Sequence, residues 1–274
     1  MSGLAQSVPP LILALQNPNV YPHPVDTIRL IETHISWVIL TGKFAYKIKK
    51  PVHFNFVDFS TLEKRQYYCQ EELKLNQACA APIYKGIVPL YGSATSPSFT
   101  SDGKPPFEYA VHMQEFPQTA LLLPALYRLD EAGQTLLTEK MALNLAEFHQ
   151  QCPHATPSDH YGDPTRTVYQ FIRDNITDIQ KLSTRPDIQK ANADLATWSE
   201  QQFTVLAPLL SDRKANGFIR QCHGDLHLGN MVSLDDMVYC FDRLEFNPEL
   251  QWIDILNDLA FLLMDLEFRG FKTL

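Results

Sequence analysis

Gln221-Cys222-His223-Gly224-Asp225-Leu226-His227-Leu228-Gly229-Asn230 is followed shortly by Tyr239-Cys240-Phe241-Asp242. Between Asn230 and Asp242 lie two short apolar runs, Met231-Val232-Ser233-Leu234 and Met237-Val238-Tyr239-Cys240-Phe241, separated by Asp235-Asp236. Strand formers flanking turn formers predict a hairpin. Its turn falls near the midpoint of 230 and 242, so the chain runs out and back and sets Asn230 beside Asp242. Two oxygen-bearing side chains held together suit Mg²⁺, a hard cation usually shared with substrate phosphates. Asp225 is then the group placed to accept a proton from an attacking hydroxyl.

His223-Gly224-Asp225-x-x-x-x-Asn230, with apolar residues and Asp242 after a short hairpin, resembles the aminoglycoside phosphotransferase and choline kinase branch of the protein-kinase-like fold. That branch carries His-Gly-Asp where protein kinases carry His-Arg-Asp. The resemblance implies an α+β, two-lobed fold with a small antiparallel-sheet N-lobe holding one long helix, and a larger, mainly helical C-lobe. It implies transfer of the γ-phosphate of ATP to a small-molecule hydroxyl, with Asp225 as catalytic base and Mg²⁺ on Asn230 and Asp242.

Composition agrees with a globular chain and excludes several classes. Hydrophobic residues make up 45% of the 274 and aromatics 11%, enough for a substantial core. A formal net charge of −8 without a basic cluster argues against a nucleic-acid or anionic-membrane partner. Cys69, Cys79, Cys152, Cys222 and Cys240 are odd in number and scattered, which predicts neither a disulfide framework nor a zinc site and suits a reducing cytoplasm. The N-terminus lacks the cationic start of a signal peptide, and no apolar run is long enough to span a bilayer.

Ahead of the catalytic loop, residues 1–20 predict a short helix ended by Asn17-Pro18, and Tyr21-Pro22-His23-Pro24 an extended linker. A strand from Ile35 to Leu40, a turn at Thr41-Gly42-Lys43 and a return from Phe44 to Lys49 follow. In the return strand Ala45, Lys47 and Lys49 share one face. The resemblance makes Lys47 the nucleotide-binding lysine, with Lys49 as the alternative. Ser60-Thr61-Leu62-Glu63 reads as a capping box with Ser60 at the cap, opening a long helix to about Ala78. Glu71 lies in line with Tyr67 and Leu75 on a partly apolar face and is expected to pair with Lys47; Glu72 is the alternative. After a strand from Glu108 to Met113, the resemblance makes Gln114-Glu115-Phe116 the hinge that meets adenine. It therefore divides the chain into an N-lobe, 1–115, and a C-lobe, 116–274.

Helices are expected at 121–127, 138–151, 169–182 and 187–210, the last cut by Pro208, and Asp174 and Asp178 could meet a cationic substrate. His149 is expected to pack or cap. A final helix is expected from Trp252 to about Phe268, on which Asp258-Leu259-Ala260 resembles the family element that braces the catalytic loop. The chain departs from the pattern in having no G-x-G-x-x-G and no Walker motif, so phosphate cover must come from a less regular loop and a P-loop mechanism is excluded within it. It also resembles the N-terminal kinase-like unit of longer bacterial proteins that carry a P-loop ATP-binding domain behind it. Two rival readings are a nucleotide-binding pseudokinase and a metal-dependent hydrolase built on His223, Asp225 and His227.

Overall fold

The computed structural model describes residues 8–271 and divides into two compact units: Met1–Lys140 with Leu228–Asn247, and Met141–His227 with Pro248–Leu274. The division expected at residue 116 follows chain order. The units do not, because the hairpin beyond Leu228 packs with the N-terminal sheet.

The first unit opens with the short helix α1 (Pro10–Ala14) and then β1 (Arg29–Glu32), β2 (Ser36–Leu40) and β3 (Phe44–Lys49). A small ribbon, β4 (His53–Phe54) and β5 (Val57–Asp58), leads into the long helix α2 (Leu62–Ala80). Then come β6 (Tyr84–Ser93), β7 (Ser96–Ser98) and β8 (Glu108–Gln114). The strands form one antiparallel sheet in the order β1-β2-β3-β8-β6-β7. Alternation sorts β3 to two sides. Tyr46 and Ile48 join Ile12, Leu15, Trp37 and Leu90 in the core under α1, while Ala45 joins Cys69, Ala80, Val111 and Met113 under α2. Lys47 and Lys49 share the face of Ala45 and therefore lie on the α2 side.

Helix α2 starts one residue later than the capping box predicts. Asp58 accepts the backbone N–H and hydroxyl of Ser60, holding that residue in a turn, so Thr61 becomes the cap and accepts Lys64 N–H at 3.3 Å.

Helices α3 (Leu122–Arg128) and α4 (Glu131–Gln151) follow, α4 running from the first unit into the second. The second unit continues with α5 (Gln170–Leu182), α6 (Pro186–Ala215) and β9 (Ile219–Gln221). Helix α6 passes uncut through Pro208, contrary to expectation. Pro208 lies on the exposed side, where backbone groups it leaves unpaired can turn to water. The predicted hairpin is β10 (Met231–Leu234) and β11 (Met237–Cys240), back in the first unit. The second unit closes with α7 (Pro248–Gln251), β12 (Trp252–Asp254) and α8 (Ile255–Phe268). Residues 252–254 were expected to be helical. Instead they pair antiparallel with β9, and Asp254 caps α8 by accepting Leu256 N–H at 2.8 Å.

Candidate active site

Two loops of the first unit meet on the α2 face of the sheet. At the open end of the β10–β11 hairpin, Phe241 N–H donates to the Asn230 carbonyl at 2.9 Å, so the ladder ends with Asn230 and Asp242 adjacent to it. Both border a cavity of about 310 Å³ that Lys47 also lines. Its apolar wall includes Val38, Leu40, Ala45, Ile83, Met113 and Phe116. Thr33, from the β1–β2 connection, lines it too, so an irregular loop without glycines borders the cavity.

Lys47 lies at the centre of the charge pattern. Its Nζ donates to Glu72 Oε1 at 2.9 Å and to Asp242 Oδ1. Glu72, not Glu71, is thus the partner on α2; Glu71 turns outward and meets Lys74 at 3.7 Å on the surface. Helical geometry explains the correction. Glu72 falls in one row with the buried positions Arg65, Cys69 and Asn76, at successive three- and four-residue spacings, whereas Glu71 lies on the half-wet flank. Burial alone pushes the Glu72 carboxyl up, yet the neighbouring Lys47 and Lys49 ammonium groups hold it at about 2. Burial works against the Lys47 charge, and Asp242 and Glu72 more than restore it, leaving its pKa well above the usual lysine value.

Lys49, the alternative lysine, points the same way but does not line the cavity. It is 1% exposed and donates to Glu72 Oε2 at 2.7 Å and to Glu245, over the Phe59 ring. Neither Glu245 nor Tyr84 was singled out from the sequence. The Tyr84 hydroxyl accepts Asp242 N–H at 3.0 Å and helps hold Asp242 at φ 62°, a left-handed conformation that non-glycine residues adopt at a cost. The acid inside Leu244-Glu245-Phe246 was the one available signal for Glu245.

The predicted hinge borders the cavity through Gln114, Glu115 and Phe116. Gln114 N–H donates to Ile83 O at 2.7 Å and Glu115 N–H to Lys43 O at 3.1 Å. The Glu115 carboxylate accepts Gly42 N–H at 2.7 Å and an Arg29 N–H at 3.1 Å, tying the Thr41–Lys43 turn to this segment. Phe116 stands edge-on to Phe241 at 5.3 Å.

Asp225 belongs to the second unit, on a loop held by Asp258. The buried Asp258 carboxylate accepts His223 N–H and Gly224 N–H, each at 3.0 Å, and lies 3.0 Å from His149 Nε2. Burial would raise the Asp258 pKa, but His149, His223 and the two amides lower it. His149 is thereby a packed, hydrogen-bonded residue, and Asp258 is the brace. Gly224 sits at φ 82°, which explains glycine between His223 and Asp225. Asp225 N–H donates to His223 Nδ1 at 3.3 Å, and His227 Nε2 is 3.7 Å from Asp225 Oδ2. The hydrolase trio is not gathered as a metal shell. Among the described residues, the potential ligand atoms that do cluster are those of His149, Cys222 and Asp258. Asp174 and Asp178 are engaged on α5, by Gln170 at 2.7 Å and Lys181 at 3.5 Å.

The profile of the phosphotransferase enzyme family matches residues 109–271, more than half of the chain. The chain belongs to the phosphotransferase enzyme family. Uncharacterized proteins of Mycobacterium tuberculosis and Mycobacterium bovis are 30% identical to this family member over 262 residues. The match covers 92% of this chain and 49% of each relative, so the chain spans about half the length of the curated relatives it matches. Two solved structures share the kinase-like fold. One is an aminoglycoside phosphotransferase in complex with GDP and kanamycin: TM-score 0.53, 16% identity, 95% of this chain and 83% of that one covered. The other is the GDP complex of wild-type aminoglycoside 2′-phosphotransferase IIIa: TM-score 0.50, 15% identity, 95% and 82% covered. Among the described residues of this phosphotransferase-family chain, no helix is long and apolar enough to cross a membrane.

Proposed function

We propose that this chain transfers the γ-phosphate of ATP to a hydroxyl of a small molecule. The observation that carries the reading is Lys47, held between Glu72 and Asp242 on the wall of a cavity that also presents Asn230. The apolar wall and the 114–116 segment suit a nucleobase, and Lys47 suits the α- and β-phosphates. The Asn230 amide oxygen and the Asp242 carboxylate form a hard oxygen donor pair that fits Mg²⁺. When bound, that ion neutralises charge on the phosphates undergoing transfer. Asp242 would hold the ion together with Asn230, and Lys47, kept toward α2 by Glu72, would take the phosphates.

Asp225 is the proposed base. It precedes Asn230 by five residues, so the chain keeps the two within about 18 Å. Its task is to orient the acceptor hydroxyl and take its proton; positioning and charge neutralisation do most of the remaining work. The cytoplasm, where ATP is supplied and the five free cysteines stay reduced, is the proposed home. A P-loop ATP-binding domain in the same full-length protein, as the resemblance implies, is proposed as the partner of this unit.

The test is incubation with γ-labelled ATP and Mg²⁺ against aminoglycosides, choline-like alcohols and sugars, using wild type and Asp225→Asn. Expected is label transfer to one acceptor class, reduced about 10²–10⁴-fold in Asp225→Asn. Nucleotide binding with no transfer to any acceptor would favour the pseudokinase reading instead.

A further inference from the structure

Around Glu72 the first unit buries more charge than a single lysine–glutamate pair needs. Two ammonium groups, Lys47 and Lys49, face three carboxylates, Glu72, Asp242 and Glu245. The two oxygens of Glu72 are divided, Oε1 to Lys47 at 2.9 Å and Oε2 to Lys49 at 2.7 Å. Lys49 is sealed from the cavity, so it has no route to a ligand there. Its second partner, Glu245, lies three residues beyond Asp242 on the same loop. Between them Arg243 is fastened to α2: its N–H donates to Asn76 Oδ1 and its guanidinium to Leu75 O, both at 2.9 Å. The loop that carries Asp242 is therefore tied to α2 through Arg243 and to β3 through Lys49.

We infer that Lys49 and Glu245 are positioning residues that hold Glu72 and the Asp242 loop in place while Lys47 exchanges Asp242 for phosphate. The inference rests on the proposed nucleotide site. With Lys47 as sole cation, three carboxylates would compete for it, and its transfer to phosphate would leave a larger uncompensated charge inside the unit. Lys49 removes that competition. Glu72 keeps one ammonium whatever Lys47 does, and Glu245 keeps Lys49 from leaving the α2 side. Lys47 is then free to bind phosphate, and Asp242 to bind metal, without rearrangement of the buried layer.

The experiment compares calorimetric binding of Mg²⁺·ATP and of adenosine to wild type, Lys49→Met, Lys49→Met/Glu245→Met and Lys49→Arg. Adenosine reports on the apolar wall alone, so a merely structural defect weakens both ligands together. The double variant exchanges a buried ion pair for apolar groups of similar length, which commonly preserves folding. Lys49→Arg keeps the charge and remains informative should the methionine variants not fold. Expected is Mg²⁺·ATP binding weakened about tenfold or more in the methionine variants, with adenosine binding within about twofold of wild type and near-complete retention in Lys49→Arg. Methionine variants that bind Mg²⁺·ATP as wild type does would overturn the inference and leave the nucleotide site standing. So would equal weakening of the two ligands, in the methionine variants or in Lys49→Arg. Failure of wild type to bind Mg²⁺·ATP would remove the nucleotide reading itself, and this inference with it.

Discussion

Glu72 shows how one buried side chain sets a pH dependence. Its carboxyl is held at about 2 in the folded chain, against an ordinary value of 4.5. A folded value below the unfolded one adds stability above pH 4.5 that is lost as pH falls towards 2. Glu245 works the other way: burial and the nearby Glu72 raise its pKa beyond what Lys49 lowers it, so it takes up protons first as acid is added. Urea unfolding of wild type and Glu72→Gln at pH 6, 4 and 2.5 isolates the Glu72 share. The variant is expected to be the weaker protein at pH 6, with the gap closing near pH 2. A gap that does not change with pH would contradict the assignment. At this scale the sequence showed a lysine pair on one strand face and an acid near residue 71. It could not choose Glu72, because the choice depends on which flank of α2 meets the sheet.

Among the elements, the β10–β11 hairpin was the most legible, since apolar alternation broken by Asp235-Asp236 encodes both strands and the turn. Both turn residues take positive φ, 49° and 63°, as a two-residue hairpin turn of the mirror-image type requires. Aspartate tolerates this conformation less well than Asn-Gly does. Asp235→Asn/Asp236→Gly is expected to stabilise the protein by about 1 kcal/mol, raising Tm by roughly 2–4 °C. The Lys140–Asp236 pair, at 3.4 Å and exposed, adds too little to reverse the sign. A lowered Tm would mean that the aspartates do more than turn the chain. Other boundaries were hidden for local reasons. Ser60 looked like a cap until Asp58 claimed it, and Trp252–Asp254 looked helical because the strand that recruits it, β9 at Ile219–Gln221, lies far upstream in the chain.

Over the whole chain, the family and fold were legible from His223-Gly224-Asp225 to Asp242, because spacing along a loop and a hairpin survives where overall identity does not. The composition of the units was not. Leu228–Asn247 belongs with residues far ahead of it, and only the buried charges around Lys47 and the apolar contacts of Val232 and Phe241 show why. The most direct test of the proposed nucleotide site is a thermal-shift titration with ATP and Mg²⁺ on wild type and Asp242→Ala. A ligand that binds only the folded state at a hundred times its Kd adds about 2.7 kcal/mol, enough to raise Tm measurably. A rise in wild type that needs Mg²⁺ and is lost in Asp242→Ala is the expected result. A folded wild type whose Tm does not move with ATP and Mg²⁺ would contradict it.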